Sequence, residues 1–148
     1  MTTVSIREAE RADLPGILDI YAEPDIDDGN VLDLTSAESM LDRMQLYPDY
    51  TLYVAVVDNT IVGSFALLIM DNLAHMGAPS AVVEDVVVRL RWRDKGIGRR
   101  MIRFAMEKAR QARCYKLALS CSINREHAHE FYESLGFEKH GYSLLVKF

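Results

Sequence analysis

The chain has 148 residues, 49% hydrophobic and 26% charged, with a formal net charge of −5 at pH 7. That length suits a single domain over 1–148 with one core, and the acidic balance argues against a general nucleic-acid binder. The longest apolar run, 65–70, is far short of the roughly 20 residues a bilayer span needs, and Arg7, Glu8 and Glu10 interrupt any signal-peptide core. The two cysteines, Cys114 and Cys121, fall at or inside one predicted strand, where they do not easily bridge. A cytoplasmic protein without membrane association is the expectation.

In chain order, a first strand is predicted near 4–9. Asp13 can cap a first helix over about 13–22, with Pro15 in its first turn, where the missing N–H does no harm. Residues 23–34 read as an irregular acidic stretch containing Asp25, Asp27 and Asp28. Such a stretch attracts a cationic amine by focusing negative potential. Thr35 and Glu38 have capping-box spacing for a second helix near 36–46, with Met40, Leu41 and Met44 as its apolar stripe. Strands follow at about 50–57 and 60–71, joined at the tight-turn dipeptide Asp58-Asn59. A loop over 72–80 carries His75, Met76 and Gly77. Strand four is expected over 81–89, a third helix over 97–112, strand five near 115–121 and a fourth helix over 124–135. Two last strands, near 137–141 and 143–147, complete the chain as a hairpin.

The most informative segment joins the fourth strand to the third helix. Residues 93–98 read Arg93-Asp94-Lys95-Gly96-Ile97-Gly98. A strand, a glycine-rich turn and a helix N-terminus make an anion site, because the first-turn N–H groups and the helix dipole both favour negative charge. Two glycines let the backbone approach the ligand, and Arg93, Lys95, Arg99 and Arg100 add positive charge within a basic cluster at 89–103. The expected occupant is a phosphate or pyrophosphate. The turn lacks the Gly-Lys-Ser/Thr ending of a P-loop and the third glycine of a dinucleotide fingerprint.

A second segment, 124–137, contains Asn124, Ala128, Phe131, Tyr132, Gly136 and Phe137 at spacings N-x-x-x-A-x-x-F-Y-x-x-x-G-F. Asn124 can cap the helix, Ala128, Phe131, Tyr132 and Leu135 share a face, and Gly136 suits a left-handed C-terminal position. Together with Arg-x-x-Gly-x-Gly and the 5–17 segment, these residues resemble the GNAT acyltransferase superfamily over nearly the whole chain. Within it, Val83-Glu84-Asp85-Val86-Val87-Val88 is similar to small-molecule amine acetyltransferases, glucosamine-phosphate and aminoalkylphosphonate acetyltransferases above all.

The resemblance implies an α/β fold with a mixed sheet of about seven strands and four helices packed on both faces. It implies a homodimer that uses acetyl-CoA and a small amine, with no metal. It assigns the coenzyme to Val86, Val87, Val88, Arg93, Asp94, Lys95, Gly96, Ile97, Gly98, Arg99, Asn124 and Tyr132. Acetyl transfer needs a neutral amine, and deprotonating a lysine-like amine at pH 7 costs about 4.6 kcal/mol. Glu84, in an apolar strand that raises a carboxylate's pKa, is the first candidate to take that proton, directly or through water. Asp85 points to the opposite face if the strand is regular. Tyr132 has a phenol able to stabilise the departing thiolate. His75 reads as an exposed loop histidine, and His127 and His129, two apart on a helix, do not share a face for a metal. Residues 22–35 and 72–80 are expected to shape the acceptor pocket, and an anionic acceptor needs a cation partner, for which Arg43 is the candidate. Acetylation of a protein N-terminus or lysine, and a non-catalytic CoA-binding module, are the competing readings.

Overall fold

Asp58 and Asn59 both adopt positive φ, 46° and 60°, the geometry that turns a chain back with the natural twist of two antiparallel strands. Around this turn the computed structural model, which describes residues 2–24, 27 and 29–148, builds β2 (Tyr50–Val57) and β3 (Thr60–Met70). With β1 (Ser5–Glu8), β4 (Ser80–Val88) and β5 (Lys116–Ala118) they form a sheet in the order β1-β2-β3-β4-β5. The first four strands pair antiparallel, and β5 joins β4 in parallel. The chain falls into two compact units, Met1–Ala118 and Leu119–Phe148; the sheet belongs to the first.

Alternation along β2 sends neighbouring residues to opposite faces. Val54 joins Leu14, Ile17 and Ile20 of α1 (Leu14–Tyr21) and Ala37 and Leu41 of α2 (Leu34–Met44) in one buried cluster. Tyr53 packs with Phe65 and with Phe104 of α3 (Ile97–Gln111) on the other face. A Cβ on Gly63 would lie 2.7 Å from Met101 Sδ and 3.1 Å from the Val87 carbonyl oxygen; its absence lets α3 settle against β3. The second unit contains α4 (Glu126–Glu133), closed by Gly136 at φ 98°, as expected of a left-handed residue after a helix.

Several expectations are corrected. The sheet has five strands, not about seven. Residues 137–141 and 143–147 make no ladder. Gly141 is absent from the positive-φ positions, so the tight primed turn that would reverse the chain there does not form. Tyr142, Leu144, Leu145 and Val146 are left exposed. β5 is three residues long, its pairing ending at Val82–Ala118. In α2, Asp33 rather than Thr35 caps the helix, accepting the Ser36 N–H at 2.8 Å, and Met40 is exposed while Ala37 and Leu41 are buried.

Asp13 does not cap α1 through its side chain either. Its carboxylate accepts from Arg7 Nη1 and Nη2, at 2.7 and 2.9 Å, and from the Glu10 N–H at 2.7 Å. The bond to Arg7 holds the Asp13 carboxyl below the usual carboxylate range. The stability it contributes is therefore present above its unfolded pKa, about 3.9, and lost as pH falls through the lower folded value. Asp13→Asn is expected to cost about 1–2 kcal/mol at pH 7, moderated because Arg7 is half-exposed. Urea unfolding across a pH series checks this: the gap between wild type and variant should shrink below about pH 4.

Candidate active site

The fourth strand is not regular. Its register against β3 runs from Ala66↔Glu84 to Ser64↔Val87, so Phe65 stands opposite two residues, Asp85 and Val86. This is a β-bulge, and Asp85 carries it at φ 52°. A non-glycine residue in this region is a local strain of the kind that gathers at functional sites. The bulge removes the premise of simple alternation. Glu84 and Val87, three apart, now share a face, and Val87 lies in the cluster with α1 and α2. Both Glu84 and Asp85 are exposed. The apolar surroundings expected for Glu84 are therefore not there; its position rests on the strand register instead.

That register gives Glu84 a neighbourhood. Leu52, Ala66 and Glu84 are paired across three strands, so their side chains stand on one face, with Leu52 and Glu84 about 10 Å apart at two strand spacings. Leu52 also lines a cleft of about 220 Å³ together with Glu8, Tyr47, Asp49 and Tyr50. Tyr47 and Tyr50 meet edge to face at 6.0 Å. Tyr21, at the end of α1, packs against the same cluster. Burial pushes its phenol up to about 12, with the Asp85 and Tyr50 charges adding to the shift. Tyr50 is raised by burial and then by the fields of Asp85 and Glu84. Phenols of this kind stay protonated at neutral pH.

Beyond the bulge, β4 pairs among the described residues with β3 alone, through Val87 and Val88, because its ladder with β5 ends at Val82–Ala118. After Val88 the chain makes a short 3-10 turn, Leu90–Trp92. Arg93 Nε donates to the Val88 carbonyl at 3.1 Å, tying the turn back to the strand end. Asp94 and Gly96 adopt positive φ, 59° and 78°, and Ile97 opens α3. Arg100 N–H returns to the Gly96 carbonyl at 3.1 Å, so the helix starts at the predicted glycine. Lys95 Nζ lies 5.0 Å from the Trp92 ring centroid. The Trp92 indole N–H is buried without an acceptor among the described residues. The structure thus brings Val86, Val87, Val88, Arg93, Asp94, Lys95, Gly96, Ile97, Gly98 and Arg99 onto one continuous strand–turn–helix segment.

In the second unit, Tyr132 lies on α4 between Phe131 and Phe137, with ring centroids 5.0 and 5.7 Å away. Burial raises its phenol above the ordinary value. Asn124 does not cap the helix: Arg125 occupies that position without a side-chain bond, and the Asn124 N–H takes Ser122 Oγ at 3.3 Å. His129 Nε2 lies 2.8 Å from the Ser122 carbonyl oxygen, and His127 is exposed. In the first unit His75 is exposed between β3 and β4, as expected, and its ring stacks on Tyr115 with centroids 3.9 Å apart. Arg43 is exposed on α2 and does not line the cleft. Asp25 and Asp28 lie outside the described residues; Asp27 is exposed.

Residues 14–137 match the Acetyltransferase (GNAT) family. The chain belongs to that family. It is 39% identical over 80 residues to a glucosamine 6-phosphate N-acetyltransferase of Trypanosoma brucei brucei, covering 54% of this chain and 52% of that protein. The match therefore spans about half of that relative's length. A glucosamine 6-phosphate N-acetyltransferase of Arabidopsis thaliana is 25% identical over 138 residues, 90% of this chain and 89% of the relative. A solved structure from Agrobacterium tumefaciens str. C58 superposes with a TM-score of 0.89 at 33% identity, covering 97% of this chain and 99% of that one. The protein is thus a member of the GNAT family with an α/β fold. Among its described residues no helix is long and apolar enough to cross a membrane.

Sequence reading of this GNAT chain missed Tyr21, Tyr50 and Glu23. Tyr21 falls four residues after Ile17, on the stripe that faces the sheet, and that spacing was the available signal. Nothing local marks Glu23, whose partners Arg89 and Leu90 lie far along the chain; Tyr50 has a near partner in Tyr47, but the carboxylates that act on it, Asp85 and Glu84, are brought close only by the sheet.

Proposed function

We propose that this GNAT acetyltransferase moves an acetyl group from acetyl-CoA to the primary amine of a small molecule, by direct attack within a ternary complex. The observation that carries this reading is the turn between β4 and α3. There Gly96, at φ 78°, delivers the backbone into the first turn of a 15-residue helix beside Arg93, Lys95, Arg99 and Arg100. A pyrophosphate fits such a helix N-terminus by charge and by donor geometry. The relatives named for glucosamine 6-phosphate support a small amine as the acceptor.

In this reading the pantetheine arm follows Val86, Val87 and Val88, where β4 has no second strand partner among the described residues. Glu84 takes the ammonium proton directly or through water. It stands in the row that leads through Ala66 to Leu52 and the tyrosine-lined cleft, which supports an acceptor approaching over the α1 and α2 face. Tyr132, held protonated by burial, donates a hydrogen bond to the departing sulfur. We further propose a homodimer in the cytoplasm; exposed Leu144, Leu145 and Val146 support an interface with a second copy, which light scattering checks.

Release of free thiol from acetyl-CoA in the presence of a panel of free amines tests the function. Intersecting double-reciprocal lines with at least one small amine are expected. Turnover of peptide acceptors alone would favour protein acetylation. Acetyl-CoA bound but never turned over, with any acceptor, would leave only a binding module.

A further inference from the structure

We infer that Glu23 is a positioning residue for the pyrophosphate-binding turn, an assignment that rests on the acetyl-CoA reading above. Glu23 follows α1, 67 positions before Leu90. Its Oε2 accepts the Leu90 N–H at 2.8 Å, and its Oε1 lies 3.6 Å from Arg89 Nη1. Leu90 opens the 3-10 turn, and the first N–H groups of any helical turn find no acceptor inside it. Glu23 supplies one from a distant part of the chain.

Arg89 gathers the remaining anchors. Its Nε donates to the Ile61 carbonyl at 3.2 Å and its Nη2 to the Gly16 carbonyl at 3.4 Å. Its backbone N–H donates to Val62 at 2.8 Å. The two charged side chains are only 18% and 20% exposed, so water competes weakly for the pair. Both ends of α1 and the start of β3 thus converge on Arg89 and Leu90. From there to α3 the path is short and directed. Trp92 N–H bonds the Arg89 carbonyl, Arg93 N–H bonds the Leu90 carbonyl, and Arg93 Nε bonds the Val88 carbonyl. Where Leu90 is held fixes where Gly96 and the first turn of α3 stand. Glu23 touches no reacting atom; it acts through the turn, on the phosphate end of the donor.

The donor's two ends provide the test. S-acetylpantetheine carries the thioester without the pyrophosphate. Glu23→Ala should raise KM for acetyl-CoA about tenfold, keep kcat within about twofold, and leave kcat/KM for S-acetylpantetheine within about twofold of wild type. Glu23→Gln, whose amide oxygen still accepts the Leu90 N–H, should recover most of the KM. Equal losses with both donors, or a folded Glu23→Ala with wild-type KM for acetyl-CoA, would overturn the assignment. If Glu23→Ala does not fold, Glu23→Met, which keeps the volume and removes the acceptor, takes its place under the same criteria. A wild type that shows no preference for acetyl-CoA over S-acetylpantetheine defeats the pyrophosphate reading itself. A preference that survives in Glu23→Ala defeats only the role of Glu23.

Discussion

Gly98→Glu should weaken acetyl-CoA binding by at least about 100-fold in calorimetry, the scale of one like charge placed about 4 Å from a phosphate at a partly screened site. Gly98 sits in the first turn of α3, directly after Gly96 and Ile97. A carboxylate in the first turn is ordinarily favourable to a helix, because it meets the positive end of the dipole. The substitution should therefore leave the fold intact, with circular dichroism and melting close to wild type. The same carboxylate competes with an incoming phosphate for that end of the helix and repels it. Gly98→Ala separates size from charge: Gly98 is not among the positive-φ glycines, so its backbone conformation suits alanine, and the affinity should fall much less. If Gly98→Glu folds and binds acetyl-CoA as wild type does, the pyrophosphate does not sit on this turn.

The turn was legible in the sequence because everything that makes it is local. Gly96 is needed where φ is positive, and the amphipathic pattern of Ile97, Met101, Ala105 and Ala109 follows immediately; all four are buried. The Asp58-Asn59 hairpin was legible for the same reason, and its strands begin and end within a residue of expectation. What the sequence hid depends on partners far along the chain. The bulge at Asp85 exists only in the register against Phe65, and it reverses the face assignments that alternation predicts. Val82 is where β5 leaves β4, which no pattern within 115–121 announces. The Asp13 carboxylate does not cap α1 because the Arg7 guanidinium and the Glu10 N–H together already engage it. The terminal segment has strand-like composition but no turn to reverse it, and strand propensity without a partner edge decides little.

Tyr132→Phe is expected to lower kcat by roughly 10²–10⁴, the usual scale for a positioned proton donor, while KM for acetyl-CoA stays within a few-fold. The phenol lies between Phe131 and Phe137, and burial raises its pKa above the ordinary 10. A thiol titrates near 8.5, so handing the phenolic proton outright to a thiolate is uphill by about 2 kcal/mol even before that rise. The burial that makes Tyr132 a poorer acid keeps it a reliable hydrogen-bond donor. Its share of the barrier is stabilisation of charge growing on sulfur, with the proton shed by the amine completing the thiol. Two consequences follow. The alkaline fall of the wild-type kcat should lie above the range of an ordinary phenol, since burial raises Tyr132. Thioesters of more acidic thiols, which need less help to leave, should narrow the gap between Tyr132→Phe and wild type. Rapid-quench measurement of the chemical step guards against a slow product release that would mask the effect. A chemical step in Tyr132→Phe within a factor of about three of wild type would remove the phenol from the reaction and leave it as the polar rim of an aromatic cluster.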